Sequence, residues 1–171
     1  NDQFRLAVEY TDSEYKDFAY RNYRAADPSA RTACPVTPVV GGTAQTGFWT
    51  INCIGFQLPR TPKWSGTVSY THSFDLPNGA KVDFAPDMVF ASSRWLSAEF
   101  VENALGEAYA QFNASLTYRS PDDGYSIQLF VRNITDEAVY NGTQQYPFIN
   151  NYNGQDISPP RTYGARFRAK F

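Results

Sequence analysis

The 171-residue chain has one histidine, one methionine and two cysteines. One histidine leaves little room for a histidine-based catalytic triad. Two cysteines outside any CxxC pairing argue against a metal site. No run of about 18 apolar residues occurs, which excludes a transmembrane helix but not a membrane barrel, whose strands are half polar. The formal net charge is only −2, so no basic excess points to nucleic acid. Aliphatic side chains are scarce as well. Leu, Ile and Val total 23, against 13 Phe, 12 Tyr and 3 Trp. Soluble cores are built mainly from aliphatics. Tyr and Trp favour places where one end of the ring is apolar and the other wet, and membrane interfaces are such places. The sequence opens without Met or a signal peptide and reads as a processed product or a piece of a longer chain.

What the chain does have is alternation, and it is clearest at the C-terminus. From Tyr163, the residues Tyr163, Ala165, Phe167, Ala169 and Phe171 share one strand face, while Gly164, Arg166, Arg168 and Lys170 share the other. A lipid-facing barrel strand has this pattern, apolar outward and polar inward with aromatics at the interface. Ending on an aromatic without a polar tail is unusual for a soluble chain.

The same pattern gives about six strands in a length suited to one domain. The first spans about 2–16, with Phe4, Leu6, Val8 and Tyr10 on its apolar face. The second spans about 62–74 (Trp64, Gly66, Val68, Tyr70) and the third about 80–94 (Val82, Phe84, Met88, Phe90), with Pro86 interrupting. The fourth covers about 108–120 (Phe112, Ala114, Leu116, Tyr118), the fifth about 125–139 (Tyr125, Ile127, Leu129, Val131), and the sixth closes the chain. Proline belongs at edges or bulges, so the third strand is the one under question. The opposite faces carry mainly Ser, Thr, Asn, Gln and Arg, which suit a water-filled lumen or the wet face of a soluble sheet equally.

Two connections are tight turns, Leu76-Pro77-Asn78-Gly79 and Pro121-Asp122-Asp123-Gly124, in which Pro, Asp and Asn preset the turn and Gly accepts positive φ. The other three, about 17–61, 95–107 and 140–159, are long. Short and long alternate, as in an up-and-down barrel with short periplasmic turns and long external loops. Within the second long loop, Leu96, Phe100, Val101, Leu105 and Ala108 have helical spacing, which predicts a short surface helix. In the first, Cys34 and Cys53 lie in a stretch rich in Thr, Gly and Pro. A loop-closing disulfide, which needs an oxidising compartment, is preferred over two inert thiols.

Four segments, in order, resemble the C-terminal end of TonB-dependent outer-membrane receptors. FRLAVEYTDSEYKDF resembles their "YTDTEY" strand, and LPRTPKWSGTVSYTH the entry to the next strand. FNASLTYRSPDDGYSIQLFVRNITDEAVY is similar to their late hairpin, with Asn133-Ile134-Thr135-Asp136 as its motif. PPRTYGARFRAKF is similar to their last strand. The resemblance implies an all-β fold: an antiparallel transmembrane β-barrel of about 22 strands with an N-terminal plug, of which residues 1–171 are the C-terminal part. The plug and the preceding strands are absent from this sequence. It implies an active importer of a scarce nutrient (metal chelate, vitamin or oligosaccharide) in the bacterial outer membrane. Its expected partners are the lipid, the rest of the barrel and plug, the TonB energy-transducing complex reached through the missing N-terminal part, and the outer-membrane assembly machinery. That machinery would read Tyr163, Phe167 and Phe171. Alternatives are a passive porin-type barrel and a secreted soluble β-sandwich module that binds carbohydrate.

No nucleophile elbow or paired carboxylates occur at a recognisable spacing, so neither an enzyme nor a cofactor is expected. His72 reads as an ordinary polar residue near a strand end. Candidate ligand-binding residues are Tyr23, Arg24, Phe48 and Trp49 in the first loop, Trp95 in the second, and Tyr146, Asn150, Asn151 and Tyr152 in the third. Aromatics and amides bind sugars or planar chelates by stacking and hydrogen bonding. The alternative for each is packing of loop on loop. Arg166, Arg168 and Lys170 read as inward charges paired with nearby carboxylates. Asn113, Asn133 and Asn141 each begin a glycosylation sequon, which has no meaning in a bacterial outer membrane.

Overall fold

The computed structural model describes residues 1–23, 31–39, 48–146 and 153–170. In chain order the strands are β1 (Asp2–Tyr10), β2 (Ala19–Tyr23), β3 (Val36–Pro38), β4 (Phe48–Asn52), β5 (Trp64–Asp75), β6 (Lys81–Ala91) and β7 (Arg94–Trp95). After a 3-10 turn (Glu102–Ala104) come β8 (Leu105–Gly106), β9 (Tyr109–Arg119), β10 (Tyr125–Arg132), β11 (Tyr140–Gln145), β12 (Asn153–Ile157) and β13 (Thr162–Ala169). Six of them form one antiparallel sheet in the order β1-β5-β6-β9-β10-β13. The sheet is open, with β1 and β13 at its edges. Its strands are 8 to 12 residues long. A tilted strand of about 9–11 residues crosses a bilayer.

Register carries the alternation across the whole sheet. Leu6 lies opposite Val68, Val68 opposite Met88, and Met88 opposite Phe112. Leu116 lies opposite Leu129, and Leu129 opposite Ala165. Each strand therefore adds its apolar residues to the same face and its polar residues to the other. No second layer covers the apolar face among the described residues. Phe4 is 64% exposed, Leu129 54% and Phe167 67%. Rings concentrate near its two ends. Tyr10 and Trp64 pair at 4.7 Å at the loop end, and Tyr118, Tyr125 and Phe167 run in a row at 6.0 and 6.3 Å at the hairpin end.

Pro86 neither ends β6 nor pushes it to an edge. The β5–β6 ladder lapses between the pairs Ser69–Asp87 and His72–Phe84, while on the β9 side Pro86 stays paired with Ala114. The missing amide is absorbed by a local gap in one ladder. Gly66 is required where it stands, because a Cβ there would meet the Ala7 carbonyl oxygen at 2.5 Å and the Phe90 ring at 2.7 Å. Gly164 stands opposite Phe130 in the same way, at 2.8 Å, and Phe130 is the one large ring on the polar face of β10.

The two tight turns join β5 to β6 and β9 to β10. In the first, Gly79 takes the positive φ of 84°. In the second, Asp123 takes it (56°), not Gly124 as the sequence suggested. Asp122 is the reason. Its carboxylate accepts from Ser120 Oγ (2.6 Å) and Gly124 N (3.2 Å), which fixes the loop and lets an acidic residue occupy the left-handed position. The Ser120 hydroxyl bond holds the Asp122 carboxyl below its usual range, and the Lys170 bond does the same for Asp123.

The buried core lies in the long connections, not under the sheet. Cys34, Ile51, Cys53 and Phe100 form it, with Tyr15, Phe18, Val36, Phe56, Trp95 and Ala98 packed around them. Cys34 and Cys53 are disulfide-bonded, with Cα atoms 5.0 Å apart. β4 pairs with both β2 and β3 to make a small sheet in the first loop. The short helix expected around 96–108 does not form. Phe100, at φ 53°, enters the disulfide core and is wholly buried, while the Leu96 amide bonds the Ala104 carbonyl at 2.8 Å. The apolar spacing there reflects burial in two different places rather than one helical stripe.

Candidate functional site: a polar wall beneath clasped loops

The polar face of the sheet is a continuous wall of hydrogen-bonding groups. Asp83, 7% exposed, accepts from Ser73 Oγ at 2.6 Å and pairs with Arg119. Asp87 accepts from Asn113 Nδ2 at 2.6 Å and from Arg132 at 3.4 Å. Buried carboxylates are tolerated when paired and bonded in this way. Lys170 pairs with Asp123, but Arg166 and Arg168 form no ion pair among the described residues, so the paired-carboxylate reading fails for those two. With Arg119, Lys170, Thr117 and Gln128 they line a cavity of about 450 Å³ at the hairpin end. His72 lies on the opposite, apolar face. It bonds Asp2 at 2.6 Å, and the Tyr70 hydroxyl bonds the same oxygen. Those bonds occupy its Nδ1. Among the described residues no cluster of three His, Cys, Asp or Glu could hold a metal ion.

At the loop end the three long connections clasp one another. Ala33 N donates to Glu99 O (2.9 Å) and Arg60 N to Trp95 O (2.6 Å), joining the first loop to the second. Arg31 donates to the Tyr146 carbonyl, joining the first to the third. Arg94 donates to Tyr140 O at 3.0 Å, joining the second to the third.

The motif Asn133-Ile134-Thr135-Asp136 fastens this end of the wall. Asn133 is 4% exposed and at φ 52°. Its amide N–H donates to Asn113 Oδ1 at 2.9 Å. Its side chain exchanges bonds with Glu137 O and N (both 2.9 Å) and reaches Pro159 O. Asp136 accepts from Arg161 N at 2.7 Å. The segment that enters β13 is thus tied to the exit of β10. Sequence reasoning noted the motif only by likeness. The clue to its role was an Asn and an Asp placed where a strand must stop and turn.

The ligand candidates divide. Trp49 is 8% exposed in β4, with its indole N–H lacking an acceptor among the described residues. Trp95 packs edge-on against Phe100 at 5.8 Å. Both rings belong to loop packing. Tyr146 is exposed and borders a cavity of about 670 Å³ with Arg60, Gln144, Gln155 and Asp156. Tyr23 and Phe48 face each other across the β2–β4 pair by backbone register. Arg24, Asn150, Asn151 and Tyr152 lie outside the described residues, as does Phe171. Tyr163, 83% exposed, and Phe167 stand on the apolar face of edge strand β13. Sequence reasoning missed Arg60 and Arg94, which have no motif around them and meet only through the folding of separate loops.

No protein-family model matches the sequence, and no curated protein does. Among solved structures the chain is similar to the ferric yersiniabactin uptake receptor FyuA from Yersinia pestis, with a TM-score of 0.57 over 70% of this chain and 17% sequence identity. The chain spans 18% of that receptor's length. At this identity the likeness is one of fold alone: the chain is an all-β antiparallel structure whose strands are arranged as in part of that receptor.

Proposed function

We propose that the chain is the C-terminal part of the barrel of a TonB-dependent outer-membrane receptor. In this reading the apolar face meets lipid, the polar face lines an aqueous interior holding a plug, and the clasped loops face outside. The complete protein takes up a scarce nutrient with energy from the TonB complex. Tyr163, Phe167 and Phe171 carry the signal for the assembly machinery. The observation that supports this best is the uncovered apolar face of a six-stranded sheet whose own core lies elsewhere, in the loops. A soluble sandwich would bury that face under a second sheet. Contiguous apolar surface of this extent marks an interaction with membrane or protein. Open edges in lipid leave unpaired backbone groups, so the reading also requires further strands beyond β1 and β13.

Outer membranes are extracted with detergent, and the polypeptide carrying these peptides is sized by denaturing gel and mass spectrometry. The expected parent is several times heavier than 19.3 kDa, with these peptides at its C-terminus and a plug upstream. A free, water-soluble species of this mass overturns the proposal. A large parent without a plug turns it into a passive barrel.

A further inference from the structure

Beneath the clasped loops, at the loop end of the polar wall, lies a cavity of about 490 Å³ whose lining includes Glu9, Arg60, Ser65, Thr67, Arg94 and Tyr109. We propose that this cavity binds an oxyanion, a carboxylate or phosphate carried by the ligand, between Arg94 and Arg60. The inference rests on the receptor reading above and adds the chemical class of what is bound.

Arg94 is the anchor. It is 8% exposed, with its guanidinium carbon 5.2 Å from the centre of the Tyr109 ring. One terminal nitrogen donates to Tyr140 O, while the other is buried and has no acceptor among the described residues. No carboxylate pairs with it there. A buried guanidinium compensated only by one carbonyl and one ring face is short of negative charge, and an arriving oxyanion would supply it. Arg60 lines the same cavity and also the neighbouring one of about 670 Å³. Its backbone is held at φ 60° by the bond to Trp95 O, and its side chain is exposed without a hydrogen-bond or ion-pair partner among the described residues. Glu9 is the one acidic residue of the lining. It accepts from the Thr11 hydroxyl at 3.1 Å and pairs with neither arginine, so the lining keeps a net positive charge. Guanidinium forks match carboxylate and phosphate oxygens in two-point fashion, and Ser65 and Thr67 add hydroxyl donors on the same wall. The cavity lies within the size range of small-molecule sites. Arg166 and Arg168 also lack partners among the described residues and line the cavity at the hairpin end, but their side chains are solvent-exposed, whereas Arg94 is buried.

The test uses the full-length receptor, purified in detergent and titrated calorimetrically with citrate and, separately, with orthophosphate. Saturable 1:1 binding of either is expected. The tighter of the two tells whether the ligand presents a carboxylate or a phosphate. Arg94→Gln and Arg60→Gln should each weaken binding by about tenfold or more, while Arg166→Gln, on the same face at the far end, leaves it unchanged. Arg94→Lys, which keeps the charge and loses the fork, should fall between. Should the Arg94 variants not fold, judged by heat-modifiable gel mobility, Arg60→Gln carries the test alone. Binding of neither anion, or equal loss in the Arg166 variant, overturns the proposal. Outer-membrane location and parent mass are read separately, so that failure is distinguishable from failure of the receptor reading.

Discussion

Asn133 shows how much one side chain can hold. It sits at positive φ, fully hydrogen-bonded and almost inaccessible, and it ties the end of β10 to β9 and to the approach of β13. Asn tolerates the left-handed region better than most residues. Replacing it with Ala removes the side-chain partner of the Glu137 amide and strains the backbone. The expected loss is about 1–3 kcal/mol, the range for orphaning buried polar groups. Urea titration of the refolded full-length protein measures it. Asn133→Asp keeps the acceptor for the Glu137 amide and the tolerance of positive φ, but loses the donor to Glu137 O and Pro159 O, so it should lose less. Equal stability of Asn133→Ala and the parent would show that the clamp is ornamental. At this scale the sequence was legible only in part. Tyr163 and Phe167 could be placed on a face from alternation alone. The role of Phe130 depends on the register that sets Gly164 opposite it, and register is not written locally.

Among the elements, the sheet strands were readable because each has one dry and one wet face, and that contrast repeats every two residues. Even the doubtful third strand proved continuous. The loop strands β2, β3 and β4 were not readable. They are three to five residues long and are held by a core that assembles from distant segments. The false helix has the same cause, since Phe100 is buried largely by residues of the first loop. The disulfide belongs to this module and not to the sheet. Reduction, or Cys34→Ser with Cys53→Ser, should therefore open residues 17–61 to protease while leaving the sheet folded. The cross-link closes a loop 19 residues long, for which a loss of about 3 kcal/mol is the usual scale. Limited proteolysis with and without dithiothreitol, read by mass spectrometry, checks it. Cleavage within β9 or β10 on the same timescale would mean that wall and loops fold as one unit.

The molecule as a whole gives one sheet an apolar face and a polar face. The prediction here separates the faces. Leu129, opposite both Leu116 and Ala165, occupies the middle of the apolar face. Leu129→Arg should cost about 2–4 kcal/mol of folding stability in lipid vesicles, as lipid-facing cations do near mid-bilayer. Ser115→Arg, on the polar face between Ala85 and Phe130, should cost far less. Matching losses for the two variants would remove the distinction on which the receptor reading stands. The all-β antiparallel class was legible at this scale from faces and loop lengths together. The binding cavity was not, because Arg60 and Arg94 lie 34 positions apart in sequence and come together only when the loops close.

The first long loop leaves and returns through neighbouring residues. Tyr10 stands opposite Trp64, and the Thr11 amide bonds the Lys63 carbonyl at 2.9 Å. With its stems side by side and its own cross-linked interior, this segment has the layout of a removable cassette. A foreign loop grafted between 11 and 63 would leave the β1–β5 ladder as it is. Its debts to the host lie mainly in the second loop, whose Phe100, Trp95 and Ala98 help to complete the cassette's interior and whose Glu99 and Trp95 carbonyls bond it. Successive replacements at this position, in evolution or at the bench, are therefore constrained less by the wall than by the second loop, with Phe100 at the centre of the contact. Diversification of the loop should proceed in step with residue 100.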